Sequence, residues 1–258
     1  MSIRHNAYIN INGIIYPPED AKISVFDRGF LFGDSIYEVT YSQSNHLYFL
    51  DEHISRLFES AKIISLKMDK SKNEIISEII KTIRISNYKN NYIRVIITRG
   101  EGPLNLDPTV ELKNNMIIIV KEFIPPKREL YINGINLLVP SILRNSSKST
   151  NPEAKTGNYL NNIMAINEAK KIGFDDALMI NEAQEITEGS TFNIFFFKKN
   201  ILYTPHSQSG LLRGITRAKI IEVCHQNNIN LIETNIDKNF IKDIDEAIIC
   251  SSTRGVMP

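Results

Sequence analysis

Residues 155–197 constrain this chain more than any other segment. They begin with Lys155 and continue through a run with helical spacing from about residue 158 to residue 171. They end within a strongly apolar run over residues 191–198. Helical periodicity followed by apolar, aromatic-rich residues predicts a helix and then strands. Glu188 is predicted to lie in the turn before the last strand. The segment therefore offers two reactive groups, a lysine leading a helix and a turn carboxylate.

Composition narrows the classes of function. The 258 residues include 30 Lys and Arg and 29 Asp and Glu, for a formal charge of +1. A chain without a basic excess is not expected to bind nucleic acid or an anionic membrane, which favours small-molecule chemistry. Two cysteines, no apolar leader and no membrane-length apolar window predict a cytoplasmic protein.

The order of predicted elements favours an α+β fold. Residues 8–16 contain Asn12-Gly13 between two apolar runs and predict a hairpin. Asp51 is predicted to cap one helix, and Ser71 with Glu74 forms a capping box for the next. Strands and helices then mix without strict alternation, which is typical of the α+β class.

Pro125-Pro126 marks the best candidate linker. The predicted division is an N-terminal α/β domain over residues 1–121, a linker over residues 122–129 and a C-terminal domain over residues 130–258.

Several side chains suit a pyridine cofactor, although each has an ordinary alternative. Lys155 at the entry to a helix could form a Schiff base, but a single lysine is more often a solvated surface residue. Glu188 could pair with a ring nitrogen or be a solvated turn residue. Tyr159, four residues after Lys155, is predicted on the same helical face and could bind a ring hydroxyl, or it could be a half-buried tyrosine.

A phosphate could be held by donors that lie elsewhere in the sequence. Ile215 and Thr216 begin a predicted helix, whose N-terminus attracts anions. Ser252 and Thr253 follow a predicted strand and add hydroxyl groups, and Arg56 could add a positive charge. Hydroxyl groups at helix starts are often plain caps, and a single helical arginine is often solvated. The five histidines show no zinc-type spacing, so no metal is predicted.

The motifs together resemble the class IV, or fold-type IV, pyridoxal-phosphate (PLP) aminotransferases. This group includes branched-chain and D-amino acid aminotransferases and aminodeoxychorismate lyase. Five segments match in order over nearly the whole chain: DRGFLFGDSIYEV, DEHISRL, KTGNYLNN, ITEGSTFNIF and GITR. The resemblance implies a small α/β N-terminal domain, a larger C-terminal domain with a barrel-like β core, and a homodimer whose partner lends a loop to each site.

The resemblance also implies residue roles. Lys155 would form the Schiff base and then carry the substrate Cα proton, while Glu188 pairs with the pyridine nitrogen and Tyr159 with the ring hydroxyl. The phosphate would be bound by Arg56, Ile215, Thr216, Ser252 and Thr253. Phe32 and Tyr37 would face the substrate.

Departures from the family pattern bear on the substrate. D-amino acid aminotransferases usually carry an arginine and a histidine where residues 104–106 read Leu-Asn-Leu. The gap favours transfer from an L-amino acid with an apolar side chain to a 2-oxo acid, with a D-amino acid aminotransferase or a lyase as alternatives. Arg254 stands where branched-chain enzymes usually have a small residue, and it either meets a substrate carboxylate or points outward.

Two further interpretations remain open at this point. A non-catalytic binding protein on the same fold is a third hypothesis, although such a protein has no need of Lys155 and Glu188 together. The family usually continues beyond the equivalent of Pro258 through a hairpin and a helix, so either this protein is short or the sequence omits a tail.

Overall fold

The computed structural model describes residues 6–44 and 46–258. The prediction that the N-terminus has no apolar leader concerns in part residues 1–5, which lie outside the described residues. The chain divides into two compact units. The first comprises Met1–Ile124 and Ala154–Asn158, and the second comprises Pro125–Glu153 and Tyr159–Pro258. Residues 154–158, which the sequence assigns to the C-terminal domain, cluster with the first unit. The domain limits stay a prediction.

The first unit is built on a six-stranded antiparallel sheet. Its order is β2-β1-β6-β5-β3-β4. The strands are β1 Ala7–Ile11, β2 Ile14–Tyr16, β3 Ser35–Gln43, β4 His46–Leu47, β5 Asn90–Thr98 and β6 Asn115–Glu122. The predicted hairpin is confirmed, because β1 pairs with β2 around Asn12 and Gly13, whose φ angles of 55° and 96° lie in the left-handed region.

Three helices belong to the first unit: α1 Arg28–Phe32, α2 Leu50–Ile63 and α3 Lys72–Ser86. The capping box of Ser71 and Glu74 is confirmed at the start of α3. The prediction for Asp51 is wrong: the N-cap of α2 is Phe49, at φ 52°, and Asp51 lies in the first helical turn. Isoleucines of α2 and α3, including Ile54 and Ile75, pack with β3, β5 and β6 in one apolar core.

The second unit contains two sheets. One has the order β12-β11-β10-β14-β15 and the other β13-β9-β8-β7. Their strands are β7 Leu137–Leu138, β8 Asp176–Ile180, β9 Glu185–Gly189, β10 Asn193–Lys198, β11 Ile201–Pro205, β12 Leu231–Thr234, β13 Ile236–Asp237, β14 Glu246–Ser251 and β15 Gly255–Met257. Both sheets contribute to a single core that contains Ile180, Ile186, Phe196 and Ile249. This arrangement forms the β core of the unit.

Helices cover both sheets of the second unit. The unit contains α4 Arg128–Asn133, α5 Leu160–Lys171 and α6 Ile215–Gln226. Alanines of α5 pack against β8, while Cys224 of α6 packs with Phe195 and Cys250. The mixture of mainly antiparallel sheets and helices, without regular β-α-β alternation, confirms the predicted α+β class. Within the described residues, no helix combines the length and apolar character needed to cross a bilayer.

Candidate active site

Lys155 lies in an extended segment before helix α5, whose range Leu160–Lys171 agrees with the helix predicted from about residue 158 to residue 171. The Lys155 carbonyl accepts a 2.9 Å hydrogen bond from the Tyr37 amide, and the Gly157 amide donates to the Ser35 carbonyl at 3.0 Å. The Lys155 amide also donates to the Ser60 hydroxyl at 3.0 Å. These bonds attach the segment to β3 and α2, so the backbone around the lysine is fixed on both sides.

Tyr159 does not share a helical face with Lys155, because α5 begins at Leu160. Tyr159 is the N-cap residue of α5, and its carbonyl accepts a hydrogen bond from the Ile163 amide at 2.9 Å. The predicted four-residue helical relationship is therefore wrong. The local reason is that the chain leaves the β3 pairing only after Gly157.

Tyr37 presents its buried ring to two cationic groups. The Lys155 Nζ atom lies 4.5 Å from the ring centroid, and the Arg94 Cζ atom lies 4.1 Å from it. Aromatic faces attract cations at such distances. Phe32 is half-buried, and the Arg28 guanidinium carbon lies 5.1 Å from its ring centroid. The structure thus places Tyr37 directly beside the candidate reactive lysine.

Arg56 is held by a buried carboxylate that the sequence interpretation missed. Arg56 Nε and Nη2 donate to the two oxygens of Glu38 at 2.6 and 2.8 Å, and His53 Nδ1 lies 2.7 Å from Glu38 Oε2. Burial by itself would raise the pKa of Glu38, but the charge and hydrogen bonds of Arg56, together with the His53 contact, lower it to about 2. Glu38 stands within an apolar strand, and that pattern could have indicated a paired carboxylate.

Glu188 lies in strand β9 and not in a turn, so that prediction is corrected. The turn follows it, over residues 190–192, because the chain reverses between β9 and β10. Glu188 Oε1 accepts from Arg144 Nη2 at 2.9 Å, and Oε2 accepts from Asn193 Nδ2 at 3.2 Å and from the Leu212 amide at 3.1 Å. Arg144 was not predicted, because it lies in a polar loop without a recognisable pattern.

The N-terminus of α6 carries the predicted phosphate donors Ile215 and Thr216. Its N-cap is Gly214, which has no side-chain cap bond to the helix. A Cβ atom at Gly214 would lie 1.9 Å from the Asn193 side-chain oxygen, so close packing requires glycine. Ser252 and Thr253 lie in the turn directly after β14. A helix N-terminus without a side-chain cap suits a bound anion.

Arg254 does not point outward. Its Nη2 atom lies 3.1 Å from the Asp176 carboxylate, and its guanidinium carbon lies 5.1 Å from the Phe192 ring centroid. Asp176 is buried and also accepts hydrogen bonds from the Ser190 hydroxyl and the Ala177 amide. Arg254 therefore neutralises a buried carboxylate. Among the described side chains, no group of three His, Cys, Asp or Glu residues could hold a metal ion.

A family model described as amino-transferase class IV matches residues 35–258. The chain belongs to the class IV aminotransferase family. It is 33% identical over 250 residues to a protein of Methanocaldococcus jannaschii named "Putative branched-chain-amino-acid aminotransferase", covering 97% of this chain and 86% of that relative. It is 28% identical over 247 residues to a D-alanine aminotransferase of Bacillus licheniformis, covering 96% and 85% of the two chains.

Solved structures of class IV aminotransferases share this architecture. The branched-chain amino acid aminotransferase of Escherichia coli matches with a TM-score of 0.93 and 28% identity, covering 97% of this chain and 84% of that chain. A second branched-chain amino acid aminotransferase, from T.th. and solved with pyridoxamine 5'-phosphate, matches with a TM-score of 0.91 and 26% identity, with the same coverage. This class IV aminotransferase is accordingly a PLP-dependent enzyme with a fold-type IV architecture.

The residues of this class IV aminotransferase fit the cofactor chemically. PLP requires an amine for its aldehyde, a carboxylate for its ring nitrogen and donors for its phosphate. Lys155 has a fixed backbone beside a buried ring, and Glu188 is a buried carboxylate oriented by three donors. Helix α6 supplies an N-terminus that has no side-chain cap. Each requirement is therefore met by a residue of this chain.

Proposed function

We propose that the enzyme transfers the amino group of an L-amino acid with an apolar, branched side chain to a 2-oxo acid. The observation that carries this proposal is the Leu-Asn-Leu sequence at residues 104–106. Leu104 and Leu106 are 69% and 75% exposed, and the tripeptide contains no cationic side chain. A tripeptide without its own cationic side chain does not offer the carboxylate trap usual in D-amino acid aminotransferases, and its two leucines suit an apolar substrate side chain. Similarity to relatives named as branched-chain enzymes supports the same substrate class.

We assign the cofactor contacts as follows. Lys155 binds PLP covalently, Glu188 contacts the ring nitrogen and Tyr159 contacts the ring hydroxyl. The phosphate ligands are Arg56, Ile215, Thr216, Ser252 and Thr253. The substrate residues are Phe32, Tyr37 and Arg254. When bound, PLP would supply the electron-accepting ring and the aldehyde that such a transfer of an amino group requires.

The side chains of the protein then perform three tasks. Lys155 Nζ removes the proton from the substrate Cα atom and returns a proton, acting as general base and then general acid. Glu188 would favour a proton on the ring nitrogen through its negative charge, and three hydrogen-bond donors orient its carboxylate. The Tyr37 ring limits the positions of the Lys155 ammonium group.

A half-reaction screen tests the substrate proposal. Purified enzyme with PLP is mixed in turn with L-leucine, L-valine, D-leucine and D-alanine, and the loss of the visible PLP absorbance is recorded. We expect the L-amino acids to react faster. Faster reaction with D-alanine would overturn the proposal and favour a D-amino acid aminotransferase, an alternative that the Bacillus licheniformis relative supports.

The same preparation tests the two remaining alternatives. Release of pyruvate from aminodeoxychorismate without a second oxo acid would identify a lyase. The Lys155→Ala variant should lose the visible absorbance of covalently bound PLP, whereas Lys148→Ala, a change at an exposed lysine of the polar loop, should retain it. Retained absorbance in Lys155→Ala would mean that another residue binds the cofactor.

We also propose a cytoplasmic homodimer. The resemblance to class IV enzymes supports a dimer, and the exposed apolar side chain of Phe30 on the first unit is consistent with a protein interface. Light scattering of the purified enzyme should give twice the mass of 29.4 kDa. A monomer mass would contradict this part of the proposal.

A further inference from the structure

Arg144 is held beside Glu188 by directed hydrogen bonds as well as by the attraction between the two charges. Arg144 Nη2 donates to Glu188 Oε1 at 2.9 Å, and its side chain is mostly buried. The other guanidinium nitrogens are also used: Nη1 donates to Asn162 Oδ1 at 3.1 Å and Nε to the Gly210 carbonyl at 3.4 Å. These contacts restrict the rotation of the guanidinium group.

The base of the Arg144 side chain is fixed as well. The Arg144 amide donates to the Ile180 carbonyl at 2.8 Å, at the end of strand β8. Asn162, which accepts from Arg144, donates its own side-chain amide to the Ser190 carbonyl at 2.7 Å. Arg144 is therefore tied to β8, to α5 and to the turn that follows Glu188. A change in its position would be transmitted to that carboxylate.

A cation beside a buried carboxylate changes where a shared proton lies. Glu188 and a ring nitrogen can share one proton as carboxylate and protonated nitrogen or as two neutral groups. A buried site favours the neutral pair, since charge is costly to desolvate. The fixed positive charge of Arg144 stabilises the carboxylate and therefore favours the protonated nitrogen.

We propose that Arg144 is a positioning residue that keeps Glu188 ionised and oriented, so that the shared proton stays on the cofactor ring nitrogen. The inference rests on the proposed contact between Glu188 and that nitrogen. Arg144 acts through Glu188, and Asn193 and Leu212 orient the second oxygen of the same carboxylate. Removal of the Arg144 charge should move the proton towards Glu188.

The test uses apoenzyme reconstituted with PLP that carries ¹⁵N in the ring. The ¹⁵N chemical shift reports protonation of the ring nitrogen and does not depend on turnover. We expect a protonated nitrogen in the wild-type enzyme, a smaller protonated fraction in Arg144→Gln at the same pH, and an intermediate value in Arg144→Lys. Arg128→Gln, a change at an exposed arginine of α4, is the matched control and should leave the shift unchanged.

PLP affinity gives a second readout, measured by equilibrium dialysis because the chain has no tryptophan. Glu188→Gln and Arg144→Gln should each weaken binding by about tenfold, the scale of a charge-assisted hydrogen bond. The double variant should bind about as weakly as Glu188→Gln alone, because Arg144 acts through that residue. The single variant Glu188→Gln tests the proposed role of Glu188 separately.

Two outcomes would overturn the inference. One is a wild-type ¹⁵N shift in Arg144→Gln, and the other is multiplication of the two affinity losses in the double variant. Either result, obtained while Glu188→Gln alters the shift, would contradict the role of Arg144 and leave that of Glu188 intact. An unaltered shift in Glu188→Gln would instead contradict the proposed role of Glu188.

Discussion

Lys155 and Tyr37 are joined twice, once through the backbone and once through the side chains. The Tyr37 amide donates to the Lys155 carbonyl at 2.9 Å, and the Lys155 Nζ atom lies 4.5 Å from the Tyr37 ring centroid. Tyr37 belongs to a nine-residue strand that pairs with β5 along its whole length, so its position is set by that sheet. The Lys155 amine is therefore positioned against a strand of the sheet.

The first prediction concerns this contact. Tyr37→Leu removes the aromatic face, and we expect the half-reaction rate at saturating amino acid to fall about threefold, a typical effect of losing a cation–π contact. Tyr37→Phe keeps the ring and should stay near the wild-type rate. Stopped-flow absorbance measures both rates. Equal rates for Phe and Leu would show that the ring face does not position the lysine.

The second prediction concerns the pH dependence of stability. The pKa of Glu38 in the folded protein is about 2, below its ordinary value of 4.5. Its contribution to stability should be complete above pH 4.5 and disappear as the pH falls towards 2. We expect Glu38→Gln to lower the free energy of unfolding by about 3 kcal/mol at pH 7 and by much less near pH 2.

Urea denaturation of the apoenzyme at the two pH values measures the effect of Glu38→Gln. Glu111→Gln is the matched control, since that side chain is almost fully exposed and its partner Lys67 lies 3.6 Å away. Surface pairs of this kind contribute little, so the control should change stability by less than about 1 kcal/mol. A pH-independent difference between wild type and Glu38→Gln would contradict the proposed linkage.

The third prediction concerns Arg254. Arg254→Ala should raise the Michaelis constant for the preferred acid substrate by about tenfold, the usual effect of removing a hydrogen bond to a charged group. Arg254→Lys keeps the charge and should show a smaller increase. Steady-state kinetics with varied oxo acid gives the values. An unchanged Michaelis constant in Arg254→Ala would show that Arg254 pairs with Asp176 and does not contact the substrate.

The fourth prediction concerns Arg217, which anchors helix α6. Its buried guanidinium donates to the Thr204 hydroxyl at 3.2 Å, the Pro205 carbonyl at 2.8 Å and Glu233 at 2.6 Å. Arg217→Met should cost about 3 kcal/mol, since it leaves these acceptors without their donor.

Thermal unfolding measures the stability of Arg217→Met, and equilibrium dialysis measures its affinity for PLP. We expect weaker PLP binding, because Ile215 and Thr216 begin the helix that Arg217 attaches to β11 and β12. Lys219→Met changes a partly exposed residue of the same helix and should stay within about 0.5 kcal/mol of wild type. Wild-type stability in Arg217→Met would show that the three hydrogen bonds are replaced by solvent.

Local signals predicted much of the fold. Asn12-Gly13 identified a hairpin because two residues with positive φ are rarely specified otherwise, and Ser71 with Glu74 identified a helix start through reciprocal hydrogen bonds. The same reasoning failed at Asp51, where Phe49 adopts a left-handed conformation and begins the helix earlier. Residue type at a single position did not reveal that conformation.

The candidate site depended on interactions between distant residues. The helix predicted after Lys155 is present as α5, but the pairing with β3 that holds Lys155 extended was not predicted, because it joins residues more than one hundred positions apart. Glu188 was expected in a turn, although pairing with β8 extends strand β9 through it. Arg144 gave no sequence signal, because its partners are separated from it by 18 to 66 residues.

The grouping of Ala154–Asn158 with the first unit has a consequence for the gene. The chain passes from the first unit to the second, returns for five residues that include Lys155, and then leaves again. A recombination event or engineered split between residues 124 and 125 would separate Lys155, the proposed cofactor lysine, from the strand that positions it. The N-terminal part alone is therefore not a transferable catalytic module. A chimaera that takes its N-terminal part from a relative should therefore take residues 154–158 from the same relative.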